Sequence, residues 1–365
     1  MMSRKIILFS ISVLFCFVSF SQEKKNITFY DFSAKYGMVI ESPRADSTLE
    51  RENLTGFVFS YGVQTTGVNY WEEFFNYPKY GLRFSYTHYY EDFLGEGLSL
   101  YAFLQAPFYR TQKFSFDYSF GIGFGYHSER FDATTNPAND YLSTHINANI
   151  DLSISLEYQI ARQFDVFAGL NFSHFSNGAT NMPNLGINGV SAFLGLRYYD
   201  REKDIRLYYR DVEKPTFLKN EVYTFVAPSF MKYRPHGKKN FFGSTLEFGY
   251  RRQFHPCMKW GAGIDFFYAG YEKYHTGKEK YSEWNNLSQA LFASYELMFG
   301  DVSLHVGLGV CTLYSGKPKG IIYERAGVFY NFGNNFKQFI GASIKAYGGV
   351  ADYIEWTYGF KIKSW

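Results

Sequence analysis

Between His145 and Tyr158 the chain alternates without a break. Ile146, Ala148, Ile150, Leu152, Ile154, Leu156 and Tyr158 are apolar, and His145, Asn147, Asn149, Asp151, Ser153, Ser155 and Glu157 between them are polar. A helix needs apolar residues at every third or fourth position, whereas a strand sends successive side chains to opposite faces. The segment therefore predicts a strand, and one far longer than the ~5–6 residues usual in soluble proteins. That length suits a tilted strand crossing a bilayer, with its apolar side on lipid and its polar side on a barrel interior.

Segments of the same kind recur along the chain, near 26–40, 53–66, 79–91, 97–110, 113–127, 145–160, 163–176 and 188–200. A second set follows near 220–234, 240–253, 258–271, 285–299, 301–314, 320–332, 335–347 and 351–364. Tight connections such as Arg162-Gln163 alternate with long polar ones such as 128–144 and 272–284. Short turns at one end and long loops at the other are the pattern of outer-membrane barrels. Composition agrees: 40 Phe and 33 Tyr bring aromatics to 21%, and aromatic residues both favour strands and form the interfacial girdles of membrane barrels. A mean hydropathy of −0.26 fits a wall that is apolar on only one side.

The start of the chain, Met1-Met2-Ser3-Arg4-Lys5 followed by an apolar run from Ile6 to Phe20, reads as a signal peptide over 1–21. That run is too short for the ~20 residues of a spanning helix, and Cys16 lacks the small residues that precede a lipidated cysteine. Cys257 and Cys311 fall on different segments and read as unpaired. The net charge of +3 selects no partner, and basic residues form no nucleic-acid stripe. His127, His145, His174, His236, His255 and His275 lack metal-ligand spacing. Neither a metal nor a cofactor is expected.

The two halves resemble each other. Lys79-Tyr80-Gly81 matches Lys259-Trp260-Gly261, Phe120-Gly121-Ile122-Gly123 matches Val306-Gly307-Leu308-Gly309, and 163–169 parallels 335–341. The stretch between them, 201–219, is charged and too long for a hairpin turn. The expected architecture is an all-β transmembrane fold of two tandem eight-stranded barrels, 22–200 and 220–365, joined by a linker. One barrel of about sixteen strands is the alternative.

One stretch departs from generic barrel patterning: His174-Phe175-Ser176-Asn177-Gly178, then Pro183-Asn184-Leu185-Gly186-Ile187-Asn188. Along 163–176 the even positions are apolar until they end in His174 and Ser176, and along 188–200 Asn188 opens an equally apolar face. Residues two apart on a strand share a face. His174 and Ser176 are therefore neighbours, with Asn188 on the next strand, all facing lipid. With the N-terminus periplasmic, the seventh strand ends at the outer leaflet, where lipopolysaccharide lies. A base beside a hydroxyl is the arrangement of an activated nucleophile: His174 would take the proton of Ser176.

The same stretch resembles the signature of PagL-type lipid A 3-O-deacylases (acyloxyacyl hydrolases), outer-membrane barrels of about eight strands. That family carries His-x-Ser-Asn, then Pro-Asn-x-Gly and an acidic residue. The resemblance implies a lipid A deacylase acting on lipopolysaccharide in the outer membrane, needing no cofactor. It further implies that Asn177 or Asn184, with backbone N–H groups of the Gly178 turn, stabilise an oxyanion. The departure is Asn188, where the family has an acid, and Glu129, Asp132 and Asp140 are candidates to replace it. In the second half Ala346 and Gly348 fall opposite His174 and Ser176, so that copy should lack the site. The rival expectation is an inactive barrel with a structural, binding or transport role.

Overall fold

A computed structural model describes residues 26–40, 52–200, 213–217, 219–232, 240–272, 282–314, 320–333 and 337–365. The expected signal peptide and most of the charged linker lie outside these residues. Eight strands form the first unit: β1 (Ile27–Ile40), β2 (Asn53–Gln64), β3 (Lys79–Tyr89), β4 (Glu96–Arg110), β5 (Phe114–His127), β6 (Ile146–Ala161), β7 (Phe164–Ser176) and β8 (Ile187–Tyr199). Eight more form the second: β9 (Asn220–Lys232), β10 (Asn240–His255), β11 (Met258–Ala269), β12 (Leu287–Phe299), β13 (Val302–Tyr314), β14 (Ile322–Phe332), β15 (Gln338–Tyr347) and β16 (Val350–Ser364). A short helix, α1 (Tyr70–Phe74), lies in the β2–β3 connection.

Each unit is a closed antiparallel barrel. β8 turns back on β1, with Phe29 opposite Tyr199 and Phe32 opposite Leu196. β16 closes on β9, with Tyr358 opposite Val226. The sixteen-strand alternative is thereby excluded, because the edge of β1 is already taken by β8. Closure matters in a bilayer, where an unpaired strand edge would leave backbone groups without water to satisfy them. The segments that match between the halves fall on equivalent strands, the third, fifth and seventh of each barrel.

The alternation is realised as anticipated. On β6, Ile146, Leu152, Ile154, Leu156, Tyr158 and Ile160 are exposed on the outer wall, and Asn147, Asn149, Asp151, Ser155 and Glu157 are buried inside. The inward polar groups pair with one another, as buried charges must. Lys79 Nζ meets Asp117 Oδ2 at 2.9 Å and Glu157 Oε2 at 2.7 Å, and Arg197 spans Glu157 at 2.7 Å and Asp31 at 2.8 Å. The second barrel centres on Arg325, which bonds Glu247 at 2.5 Å, Asp265 at 3.0 Å and Glu355 at 2.8 Å.

Apolar side chains close the first lumen above and below this network. Ile27, Phe29, Phe103 and Tyr199 cluster at the end where β1 begins. At the other end Tyr141 and Leu142, from the 128–145 loop, pack on Val39, Leu54, Tyr89, Leu94, Phe175 and Ile187. That end carries the long loops and is the outer one by the outer-membrane pattern.

Among the described residues the barrels touch at both rims. Toward the inner rim, Phe75 stacks on Phe299 at 4.3 Å, Phe74 lies 4.2 Å from the His255 ring, and Tyr70 Oη is 3.3 Å from His255 Nε2. At the outer rim, Ile354 of β16 lies against Gly178, just beyond β7.

Candidate active site

The site is built by two adjoining strands and the loop that joins them. In the β7–β8 ladder His174 stands directly opposite Asn188, and Phe175 opposite Ile187. Phe175 points inward, where it is 4% exposed in the outer plug and packs edge-on against His127 at 4.7 Å. Strand alternation then sends His174 and Ser176 to the outer wall, beside Ile150 and Ala148 of β6. Both groups lie on the outer wall at the outer end of the strand, His174 half-buried and Ser176 buried at 7% exposure beneath its neighbours.

The three polar side chains form a continuous chain of hydrogen bonds. His174 Nε2 lies 3.0 Å from Ser176 Oγ, and His174 Nδ1 lies 2.7 Å from Asn188 Oδ1. With Asn188 offering its amide oxygen, Nδ1 carries the hydrogen and donates it. Nε2 then keeps its lone pair and accepts from the serine hydroxyl. Chemically such a series can serve as a nucleophile, a general base and an orienting group. The orienting group is neutral.

The connecting loop packs under the 128–145 loop. Leu185 N–H donates to the Asp140 carbonyl (3.2 Å) and Gly186 N–H to that of Tyr141 (3.0 Å). The Asn177 amide donates to Ser143 Oγ (3.2 Å) and to the Asn181 carbonyl (3.1 Å), while Asn181 Nδ2 donates to the Ser143 carbonyl (3.0 Å). Asn184 Oδ1 accepts the backbone N–H of Asn177 at 3.0 Å. The side chains of Asn177 and Asn184 are thus spent on shaping the loop. Gly178 (φ +61°) and Ala179 (φ +62°) adopt left-handed conformations. Their N–H groups have no hydrogen-bond partner among the described residues.

Gly186 has a role that turn chemistry alone does not suggest. At φ +78° a side chain is already strained, and a Cβ there would sit 2.7 Å from His174 Cε1 and 3.0 Å from the Phe175 carbonyl oxygen. Glycine leaves room for the imidazole. Ser143 and Asn181 were not anticipated from the sequence either. Their contacts join segments far apart in the chain, and the one hint was Asn181's place inside the motif.

None of the acids considered as substitutes for Asn188 reaches His174. Asp132 accepts from Thr134 N (2.9 Å) and Thr135 N (3.0 Å), Glu129 Oε2 accepts from Asn136 Nδ2 at 3.4 Å, and Asp140 contributes its backbone carbonyl to Leu185. The outer loop uses its acids to fold itself, so the His174 partner remains an amide. In the second barrel, Ala346 is the next-to-last residue of β15 and Gly348 sits in a two-glycine turn whose N–H groups face Glu324. That turn has neither a base nor a hydroxyl. Among the described residues no group of three metal-ligating side chains converges.

Fold and site together define a closed membrane-type β-barrel carrying a serine–histidine–amide relay on its outer wall. Residues 55–197 match the family model described as lipid A 3-O-deacylase (PagL), and residues 219–364 match that of the acyloxyacyl hydrolase C-terminal domain. The chain belongs to the PagL lipid A 3-O-deacylase family. Among solved structures it is similar to Neisserial surface protein A (10% identity, 47% of this chain and 96% of that one, TM-score 0.34). It is also similar to the outer membrane enzyme PagL (18% identity, 45% and 97%, TM-score 0.31). No curated protein sequence matches the chain.

Proposed function

We propose that this protein resides in the outer membrane and hydrolyses an ester-linked acyl chain of lipid A. The observation that carries the reading is the hydrogen-bonded series Ser176–His174–Asn188 on the lipid-facing wall at the outer end of β7 and β8. A lumen-facing site would be closed to a lipid by the packed interior, whereas this one meets acyl chains diffusing in the outer leaflet. His174 takes the Ser176 proton as Oγ attacks the ester carbonyl. The tetrahedral intermediate collapses to an acyl-enzyme as protonated His174 returns its proton to the departing sugar oxygen, and water deprotonated by the regenerated His174 then releases the fatty acid and restores Ser176. The unpartnered N–H of Gly178 is our candidate oxyanion donor, with Asn177 and Asn184 holding its turn. The reaction needs no cofactor.

The second barrel, on this reading, is a degenerate repeat that has lost the site. An inactive barrel remains the alternative, favoured by one observation, the neutral Asn188. In a serine triad an Asp-to-Asn change costs about 10⁴ in rate. Transport through the first barrel is disfavoured by its plugged lumen. The deciding experiment is expression in a Gram-negative host and mass spectrometry of its lipid A. Loss of one hydroxyacyl chain with the native protein, and not with Ser176→Ala, supports hydrolysis. An unchanged profile with folded protein refutes it, and a gained chain would indicate acyl transfer instead.

A further inference from the structure

The loop that follows Ser176 is held from two sides, and only one of them belongs to its own barrel. On that side Asn177 ties the loop to Ser143 and Asn181, and Thr180 Oγ1 donates to the Asn177 carbonyl at 2.8 Å. On the other side stands β16. Ile354 Cγ1 and Cδ1 lie 2.5 Å from where a Gly178 Cβ would be. Gly178 and Ala179 are buried although they lie on the outer rim. Two consecutive residues in the left-handed region, one of them an alanine, persist only where the surroundings enforce them.

Ile354 is set apart from its own strand by this contact. Trp356, Tyr358 and Phe360 continue its outward face and stay exposed, at 43%, 47% and 45%, while Ile354 is half-buried. Apolar faces have no hydrophobic reason to associate inside lipid, which is as greasy as they are. Association there relies on close van der Waals packing at small residues, and a glycine under an isoleucine provides it. The aromatic contact of α1 with Phe299 and His255 fixes the second barrel at the opposite rim.

We propose that Ile354, from the barrel without a site, is a positioning residue for the reaction: it clamps the Gly178 turn so that its free N–H groups stay aimed at the oxyanion. The inference rests on the deacylase reading and deepens it, since the active site is then completed across the two barrels. Because the donor acts on charge that develops during reaction, loosening the clamp lowers kcat and leaves KM in place. Deleting an oxyanion donor costs about 10²–10³ in rate, and displacing one by removing its clamp should cost roughly tenfold.

The test uses the full chain in detergent micelles with lipid A as substrate. Heat-modifiable migration confirms folding of every variant. Ile354→Ala should lower kcat about tenfold at unchanged KM, Ile354→Leu should restore the rate to within about threefold because it keeps the apolar volume, and Leu308→Ala, on the exposed face of β13, should change nothing. A second readout is independent of activity. A Cβ at 178 would lie 3.8 Å from Ile354 Cβ, inside the ~3.5–4.5 Å span of disulfides. Gly178→Cys with Ile354→Cys, in a Cys257→Ala and Cys311→Ala background, should therefore cross-link on oxidation. Absence of the cross-link in folded protein overturns the proposal. So does an unchanged kcat for Ile354→Ala beside an active native protein, and in both cases the deacylase reading stands. A folded native protein that releases no acyl chain overturns both.

Discussion

Replacing Asn188 by aspartate tests the relay at its weakest member. The Asn188 amide oxygen already sits 2.7 Å from His174 Nδ1, so Asn188→Asp adds a negative charge without moving a heavy atom. On the proposed mechanism, His174 has accepted the serine proton in the transition state and is cationic. A carboxylate at ~4 Å from the centre of that charge contributes about 4 kcal/mol at an effective dielectric of ~20. Part is lost to desolvation of the carboxylate beside lipid, and a neutral hydrogen bond worth about 1 kcal/mol is already present. A net gain of about 1.5–3 kcal/mol remains, a ten- to hundredfold increase in kcat. The assay is the initial rate of fatty-acid release from lipid A in micelles, for native protein, Asn188→Asp and Asn188→Leu. The leucine variant keeps the volume, loses the hydrogen bond, and should fall about three- to tenfold. An Asn188→Asp protein that is folded yet no faster, together with an unimpaired Asn188→Leu, would show that Asn188 does not serve His174.

Other perturbations reach further. Gly186→Ala places a methyl 2.7 Å from His174 Cε1 at φ +78° and should lower kcat by at least tenfold while costing about 1–2 kcal/mol of stability, readable in parallel rate and urea-unfolding measurements. Arg197→Met removes the ion pair of buried Asp31 and leaves Glu157 with Lys79 alone, and should destabilise the first barrel by about 3–5 kcal/mol, seen as a lowered denaturation midpoint. In the 128–145 loop, the Thr134 and Thr135 N–H groups hold the Asp132 carboxyl below the usual carboxylate range. That support is present above the ordinary carboxylate pKa and is lost as pH falls through the lower folded value. Protection of the Thr134 and Thr135 amides, measured as exchange relative to the intrinsic rate at each pH, should fall there, and Asp132→Asn should remove the pH step.

Barrel, strand set and the juxtaposition of His174 with Ser176 were legible because each depends on spacing along the chain. Period-two alternation put Ile146 outside and Asn147 inside, and the same counting placed His174 beside Ser176 and Asn188 opposite. Helix α1 escaped notice, being a five-residue turn of helix held by Glu72, whose carboxylate accepts the N–H groups of Gly67 (3.0 Å) and Val68 (2.8 Å). The matched charges of Lys79, Glu157 and Arg197 were visible only as inward polar positions, because which one meets which is decided by barrel closure. Gly186 and Ile354 could not be weighed from spacing. What matters there is the gap between a glycine and a ring or a methyl group, in one case on the neighbouring strand and in the other on the neighbouring barrel.

The stuffed interior has a consequence for anything meant to block this protein. Inside the first barrel its own side chains leave only a small polar cavity among Asp31, Lys35, Arg83 and Asp151, too small for an inhibitor to approach through water and lodge there. It must first dissolve in the outer leaflet and then travel sideways to the wall beside Ser176. Its potency will follow its partition into lipid as much as its fit, and two compounds with equal affinity for the wall will differ by the ratio of their concentrations in the membrane.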